Sequence, residues 1–355
     1  MGGQLRPKRR LRDGDRGGDG GTSALQMSHD PTSVSPSSSS WLPPPLSPGL
    51  LTIELEMKNL ELLHHFTTST YQTISTDEDI REVWRLVIPR IALSHEFLMH
   101  ALLAMSALHL SFLNSSDKPY ALMAAEHHRK ALGPLRTAFS ALESHGNALF
   151  AASSVTAMYV YACPPVVESM VPKSPVWIPL FRGVWATAVG CFDRVRQGEL
   201  APLFAHKAID QSRYVGEDIE FPNSLFDLSQ PGAPGVLDPE ELEDGNVLGI
   251  YHGATEGLKL SWDRFWSTEP KVSSALTWPC TMSDEFVGFI EEHRPRALVL
   301  LAYHFALVES LEDVYWWAKG RGMDEIKRIE SVMDEKWKRW LDWPISRCKI
   351  SKGAG

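Results

Sequence analysis

Cysteine is the first scarcity. The chain of 355 residues has four, Cys163, Cys191, Cys280 and Cys348, all far apart. No signal peptide precedes them, so free thiols in a reducing compartment are expected rather than a disulfide framework. No CxxC pair exists, which excludes the finger, ribbon and cluster zinc sites whose ligands arrive two at a time from a short turn. A G-x-S-x-G elbow, a P-loop and a dinucleotide fingerprint are also missing, and GRG at 320–322 lacks the strand and third glycine of a phosphate loop. With no catalytic nucleophile, the chain reads as a non-enzyme; an enzyme acting on a hydrophobic metabolite is the weakest alternative. Positive charge is short as well: the formal net charge is −9, and the bulk of the chain is not expected to coat DNA unaided.

What is present divides the chain. Gly, Ser and Pro make up roughly half of residues 1–50, a composition that buries too little apolar surface to offset ordering entropy, so this segment is expected to be a disordered tail. Within it RPKRRLR (6–12) is a short basic run, read either as a nuclear-import or phosphate-contact element or as a solvated tail. From about residue 54 apolar residues recur at three and four spacing, with little alternation. The expected fold is all-α, a large irregular helical domain over 51–346 followed by a flexible C-terminus at 347–355.

Individual elements follow from caps and breakers. SHEFLMHALLAMSALHLSFL (94–113) predicts a helix capped by Ser94, and the next helix opens with Asp117 and Pro119 and is broken or kinked at Gly133–Pro134. The stretch DEIKRIESVMDEKWKRWLDWP (324–344) reads as one helix capped by Asp324, with Ile326, Ile329, Met333, Trp337 and Trp340 on one stripe and i,i+4 pairs from Asp334 to Lys338 and Glu335 to Arg339. Residues 222–239 form the longest expected loop, a candidate divide between two lobes.

Three readings compete for 94–113. HEFLMH looks like a zinc-protease string, but its histidines are five residues apart and so diverge by ~140° around a helix. His95 and His100 therefore cannot share a metal on one helix face, and no metal site is expected. A membrane span fares little better, because the apolar run is short and carries His100, Ser106, His109 and Ser111. A core helix is the surviving reading. His64–His65 and His127–His128 are each expected to turn one ring inward and one outward. Five of the twelve tryptophans follow residue 315; such rings fill a core or line a cavity for a flat apolar ligand.

Four blocks carry a resemblance: NLELLHHFTTSTYQTIS (59–75), LSHEFLMHALLAMSALHLS (93–111), RPRALVLLAYHFALVESLEDVYWWAKGRG (294–322) and KRWLDWP (338–344). Their order and spacing resemble the C-terminal regulatory domain of fungal zinc-cluster transcription factors, specifically those similar to sterol uptake control proteins. The resemblance implies an all-helical domain, often dimeric, that holds a sterol or similar lipid in a hydrophobic pocket and controls activity in the nucleus, with shuttling to the cytoplasm. It implies a ligand-binding set of Phe97, His100, Met105, Tyr303, Trp316 and Trp317, and as partners a second copy or related transcription factors. Two departures stand out. The family's six-cysteine zinc cluster has no counterpart before Cys163, so direct zinc-dependent DNA binding is not expected, and either a truncated sequence or a regulator working through a partner is implied. Arg321 stands where an aromatic is expected, and its charge would alter or close the ligand site. The alternative function is a ligand-free interaction module dimerising through the Trp-rich C-terminal helix and titrating a full-length relative.

Overall fold

Spacing of three and four between apolar residues produces helices throughout the unit Gly49–Gly355. A computed structural model of the chain describes residues 48–114, 118–163, 177–205, 207–208, 220–233, 237–269 and 271–353. The expected disordered tail with its basic run, up to residue 47, and the expected cap Asp117 lie outside them. The first helices are α1 (Pro48–Thr68), α2 (Glu78–Glu82), α3 (Ile88–Ala92), α4 (Glu96–Leu113), α5 (Lys118–Ala138), α6 (Leu142–Ala162), α7 (Trp177–Gly190) and α8 (Phe192–Gln197). Then come α9 (Gly245–Ser267), α10 (Lys271–Thr281), α11 (Asp284–Glu291), α12 (Pro295–Glu309), α13 (Arg321–Val332), α14 (Glu335–Lys338) and α15 (Asp342–Gly353). The expected C-terminal tail thus begins inside α15. Two short antiparallel strands, β1 (Lys207–Ala208) and β2 (Thr268–Glu269), pair Lys207 with Glu269 and Ala208 with Thr268.

Packing runs in a chain of neighbours. α4 lies against α5 and α6, α6 against α7, α7 against α10, and α10 against α9, while α12 contacts α9, α13 and α15. α4 is the one described helix long and apolar enough to cross a membrane, and 56% of that stretch is buried inside the fold. Even Ser106 is buried there, its hydroxyl donating to the Leu62 carbonyl of α1 at 2.6 Å. α12 goes further, with every residue from Arg296 to Glu309 buried. An apolar surface all round is what such central helices require.

Several local expectations change. Ser94 does not cap α4: the chain turns on past α3 through Ser94 N to Ile91 O (3.2 Å) and His95 N to Ala92 O (3.1 Å), which puts extended His95 at the N-cap. α5 is unbroken at Gly133–Pro134. Pro134 and Lys130, whose carbonyl loses its usual donor, are both on the exposed side, where water can replace the lost bond.

The segment 324–344 is three pieces rather than one helix. Met333 is extended, Arg339–Leu341 is a 3₁₀ turn, and Gly320 at φ 78° stands at the N-cap in place of Asp324. Lys338 pairs with Glu335 at 2.7 Å instead of with Asp334. The stripe itself holds: Ile326, Ile329, Met333 and Trp337 are buried and Trp340 half-buried. It faces the chain's own core. Trp337 is drawn inward by a bond from its Nε1 to Asp238 (3.0 Å), which fixes the break.

Candidate functional site

The six anticipated ligand residues fall in three places. Phe97, His100 and Met105 are on α4; Phe97 and Met105 are buried, and Phe97 meets the His95 ring edge-on. His100 turns to α5, its Nδ1 3.0 Å from His127 Nδ1. Tyr303, on α12, stacks flat on Trp343 with centroids 5.1 Å apart. Trp316 and Trp317 occupy the 3₁₀ turn after α12. Trp316 stacks on His109 of α4 at 4.9 Å and donates to Thr73 Oγ1 at 2.9 Å, and Trp317 donates to the Thr73 carbonyl at 3.2 Å. The fold therefore brings Trp316 to α4, whereas Tyr303 and His100 look toward other neighbours.

The histidines of α4 are tied to neighbouring elements by other histidines. His109 meets His65 (3.3 Å) and Thr70 (3.1 Å), and His95 meets His145 (3.2 Å). Burial drives His109 and His127 down to about 4, so both are neutral and each pair needs one ring as donor and one as acceptor. His64 points outward as expected, but His127 and His128 both turn inward, His128 stacking on Tyr159 at 4.2 Å.

Trp317 opens onto an aromatic interior that the sequence reading missed. Its ring lies edge-on to Tyr161, which meets Trp177 and Phe181 in the same way. Behind them His304 of α12 stacks on Trp177 and tilts against Trp278 at 5.3 Å. His304 is fully buried, neither ring nitrogen has a hydrogen-bond partner, and burial pushes it down to about 3. The Tyr161 hydroxyl is likewise buried and unpaired, and burial raises it. Unpaired buried groups of this kind destabilise by ~1–3 kcal/mol each, and here two of them lie in one packed aromatic cluster. The one legible signal was a lone histidine inside the apolar run ALVLLAYHFALV. Arg321 closes one end: its guanidinium donates to the Cys163 carbonyl at the end of α6 and lies 5.7 Å over the Tyr161 ring. The charge expected to alter the site thus caps a helix C-terminus.

Three grooves open between described elements. One of about 660 Å³ includes Trp185, Val189 and Cys191; one of about 600 Å³ is crossed by Lys207, which pairs with Asp77 (2.6 Å) and Asp79 (2.8 Å). A third, of about 440 Å³, lies between α5, α6 and α7. None of the six anticipated residues lines these grooves.

Helices packed around an aromatic core define the fold, an all-α domain. The family model described as fungal specific transcription factor domain matches residues 61–186, from α1 into α7. The chain is 26% identical to a Zn(2)-C6 fungal-type transcription factor of Gibberella zeae, over 89% of its own length and 66% of the relative's. It is 26% identical to the Zn(2)-C6 fungal-type transcription factor afumD of Aspergillus fumigatus, over 72% and 69% respectively. To sterol uptake control protein 2 of Candida albicans it is 26% identical, over 78% of this chain and 40% of that one. Residues 61–186 thus match a fungal specific transcription factor domain, and the chain is similar to Zn(2)-C6 fungal transcription factors, spanning about two thirds or less of these relatives' length.

The cysteines present do not suit the zinc cluster those names carry. Cys191 Sγ donates to Thr187 O at 2.9 Å, Cys280 Sγ to Phe181 O at 3.4 Å, and burial pushes the Cys280 thiol up to about 12. Zinc ligation needs converging thiolates, and these are separate, protonated donors.

Proposed function

We propose that this chain is a nuclear transcription regulator whose helical domain binds a sterol or similar lipid, with binding shifting the balance between two conformations. The observation that carries the reading is the reach of the match to the Candida sterol uptake control protein: at 78% of the chain it extends well beyond the 126 residues matched by the family domain. The aromatic cluster supports it physically: His304 and Tyr161 are buried polar groups without partners among apolar rings, and a sterol hydroxyl admitted by a shift in packing would supply the missing bond. Of the six anticipated residues Trp317 touches this cluster; Trp316, Phe97, His100, Met105 and Tyr303 meet other neighbours and stay in the proposal only as what the resemblance implies.

Thermal unfolding of the purified chain with cyclodextrin-delivered ergosterol tests it. At ten times Kd a ligand bound only by the folded state adds about 1.4 kcal/mol, a rise of a few degrees in Tm. Saturating sterol that leaves the midpoint where it was would remove the sensing half of the proposal.

A further inference from the structure

The groove of about 660 Å³ where α6, α7 and α8 meet differs from the ring cluster around His304 in facing solvent. Trp185 and Val189 line it from α7, one turn apart on the same stripe, and they are 47% and 57% exposed. Leu142 and Ala188 complete its apolar part. A close approach of backbone holds its shape. A Cβ at Gly146 of α6 would lie 2.9 Å from Cys191 Cβ at the α7–α8 turn, so only glycine lets these elements come so near.

The polar rim is of one sign. Glu143 of α6 and Asp193 of α8 are both exposed and both line the groove, and no Lys, Arg or His is among its described lining residues. Arg182, one turn before Trp185 on α7, is held by Asp284 at 2.5 Å. The helix dipoles account for an acid in each first turn, but not for the indole left half in water beside them. Neither carboxylate has an ion pair or hydrogen bond with a described side chain. Asp77 and Asp79 of the groove crossed by Lys207 are the contrast, since each already holds that ammonium. Tryptophan is prominent among the residues that anchor protein partners, and its face attracts cations.

We infer that this groove is a docking surface for a protein segment that presents arginine beside an apolar side chain. A guanidinium stacks on an indole and pairs with a carboxylate at the same time, while the apolar neighbour covers Val189 and Leu142. An acidic segment would set its charge against Glu143 and Asp193. A neutral lipid would gain nothing from either carboxylate, so this surface is distinct from the sterol reading above and does not rest on it.

Fluorescence anisotropy of a labelled nonapeptide of alternating leucine and arginine, titrated with the full chain, tests the assignment. A peptide of alternating leucine and glutamate is the comparison. The arginine peptide should bind in the micromolar range at low salt and more weakly at high salt, and the glutamate peptide should not bind. Trp185→Ala should bind at least about tenfold more weakly. Glu143→Gln/Asp193→Asn should bind about fivefold more weakly, with a shallower salt dependence. Glu243→Gln/Glu291→Gln removes the same charge from exposed carboxylates that do not line the groove, and should bind as the wild type does. Every substituted side chain is exposed, so the variants should fold, which circular dichroism checks. A wild type that ignores the arginine peptide or binds both peptides equally overturns the proposal. So does full-strength binding by Trp185→Ala, or a loss in Glu243→Gln/Glu291→Gln as large as in the groove variant. All of these outcomes leave the thermal shift with ergosterol untouched.

Discussion

Glu309 and Glu312 share the N-terminus of α13. Glu309 Oε2 accepts from Met323 N and Glu312 Oε1 from Gly322 N, both at 2.9 Å. Gly322 has to be glycine, since a Cβ there would lie 2.3 Å from Glu309 Oε2 and 2.9 Å from its Cα. Burial, followed by the hydrogen bond that the Glu312 carboxyl donates to Glu309, pushes Glu312 up to about 7 from the usual 4.5. The folded chain thus keeps a proton that the unfolded chain releases at lower pH. This contribution to stability is complete below about pH 4.5 and is lost as pH rises through about 7. Glu312→Gln keeps an oxygen for Gly322 N and cannot ionise. Its urea midpoint should match the wild type near pH 5 and exceed it at pH 8; equal midpoints at both pH values would show that the pair holds no extra proton. Comparing the two chains isolates this group from the buried histidines, whose lowered values make stability fall as pH drops below about 6.5.

At the scale of elements, α12 is fastened to the loops before α9 by one side chain. Arg296, fully buried in its first turn, donates from Nε to Leu228 O and from Nη2 to Asp238 O, both at 3.1 Å, and it also binds the Leu237 carbonyl and the Glu241 carboxylate. Its guanidinium lies 5.2 Å over the Trp337 ring. Of residues 222–239, read from the sequence as a divide between lobes, Leu228, Leu237 and Asp238 are therefore stapled to the core. Arg296→Met leaves three carbonyls without this donor, while Glu241 keeps Tyr251 and Arg294 as partners, and should lower the unfolding free energy by about 3–5 kcal/mol in urea titration, mostly through the buried carbonyls. Arg296→Lys should recover only part of this, because an ammonium cannot span partners arranged for a fork. A loss under about 1 kcal/mol for Arg296→Met would mean the staple is dispensable. Local pattern could not reveal it: RPR looks like a solvated helix start, and the carbonyls it serves are 58 to 68 residues away. What periodicity does disclose is the run of helices and the buried stripe of α4. Periodicity also finds the stripe of 324–344 but not its break at Met333, which Asp238 dictates through Trp337. Of the candidate site, Trp317 was legible as a large ring in an aromatic-rich turn. His304, Tyr161 and Trp177 were not, because a ring cluster formed by α6, α7 and α12 exists only after those helices pack.

For the whole molecule, charge sets the sharpest expectation. The net value is −9, and residues 1–50 hold six Arg and Lys against four Asp, so the acidic excess belongs to the folded part. Many of its cations are engaged internally: Arg90 with Glu199, Arg129 with Glu126, Lys207 with Asp77 and Asp79, Lys336 with Asp238, and Arg321 with a carbonyl. Duplex DNA is bound through release of its counterions by Lys and Arg. A surface whose cations already face carboxylates has little to offer in that exchange. Fluorescence anisotropy with a labelled 20-bp duplex near 150 mM salt should therefore show no binding tighter than about 10⁻⁴ M, the weak end of ordinary non-specific affinity. The run Arg6–Arg12 is the one concentrated basic stretch in the first fifty residues, and it supplies the control. Micromolar binding that disappears in Arg9→Ala/Arg10→Ala would place DNA contact in that run, whereas micromolar binding that survives the double substitution would place it on the helical domain and overturn the charge argument outright.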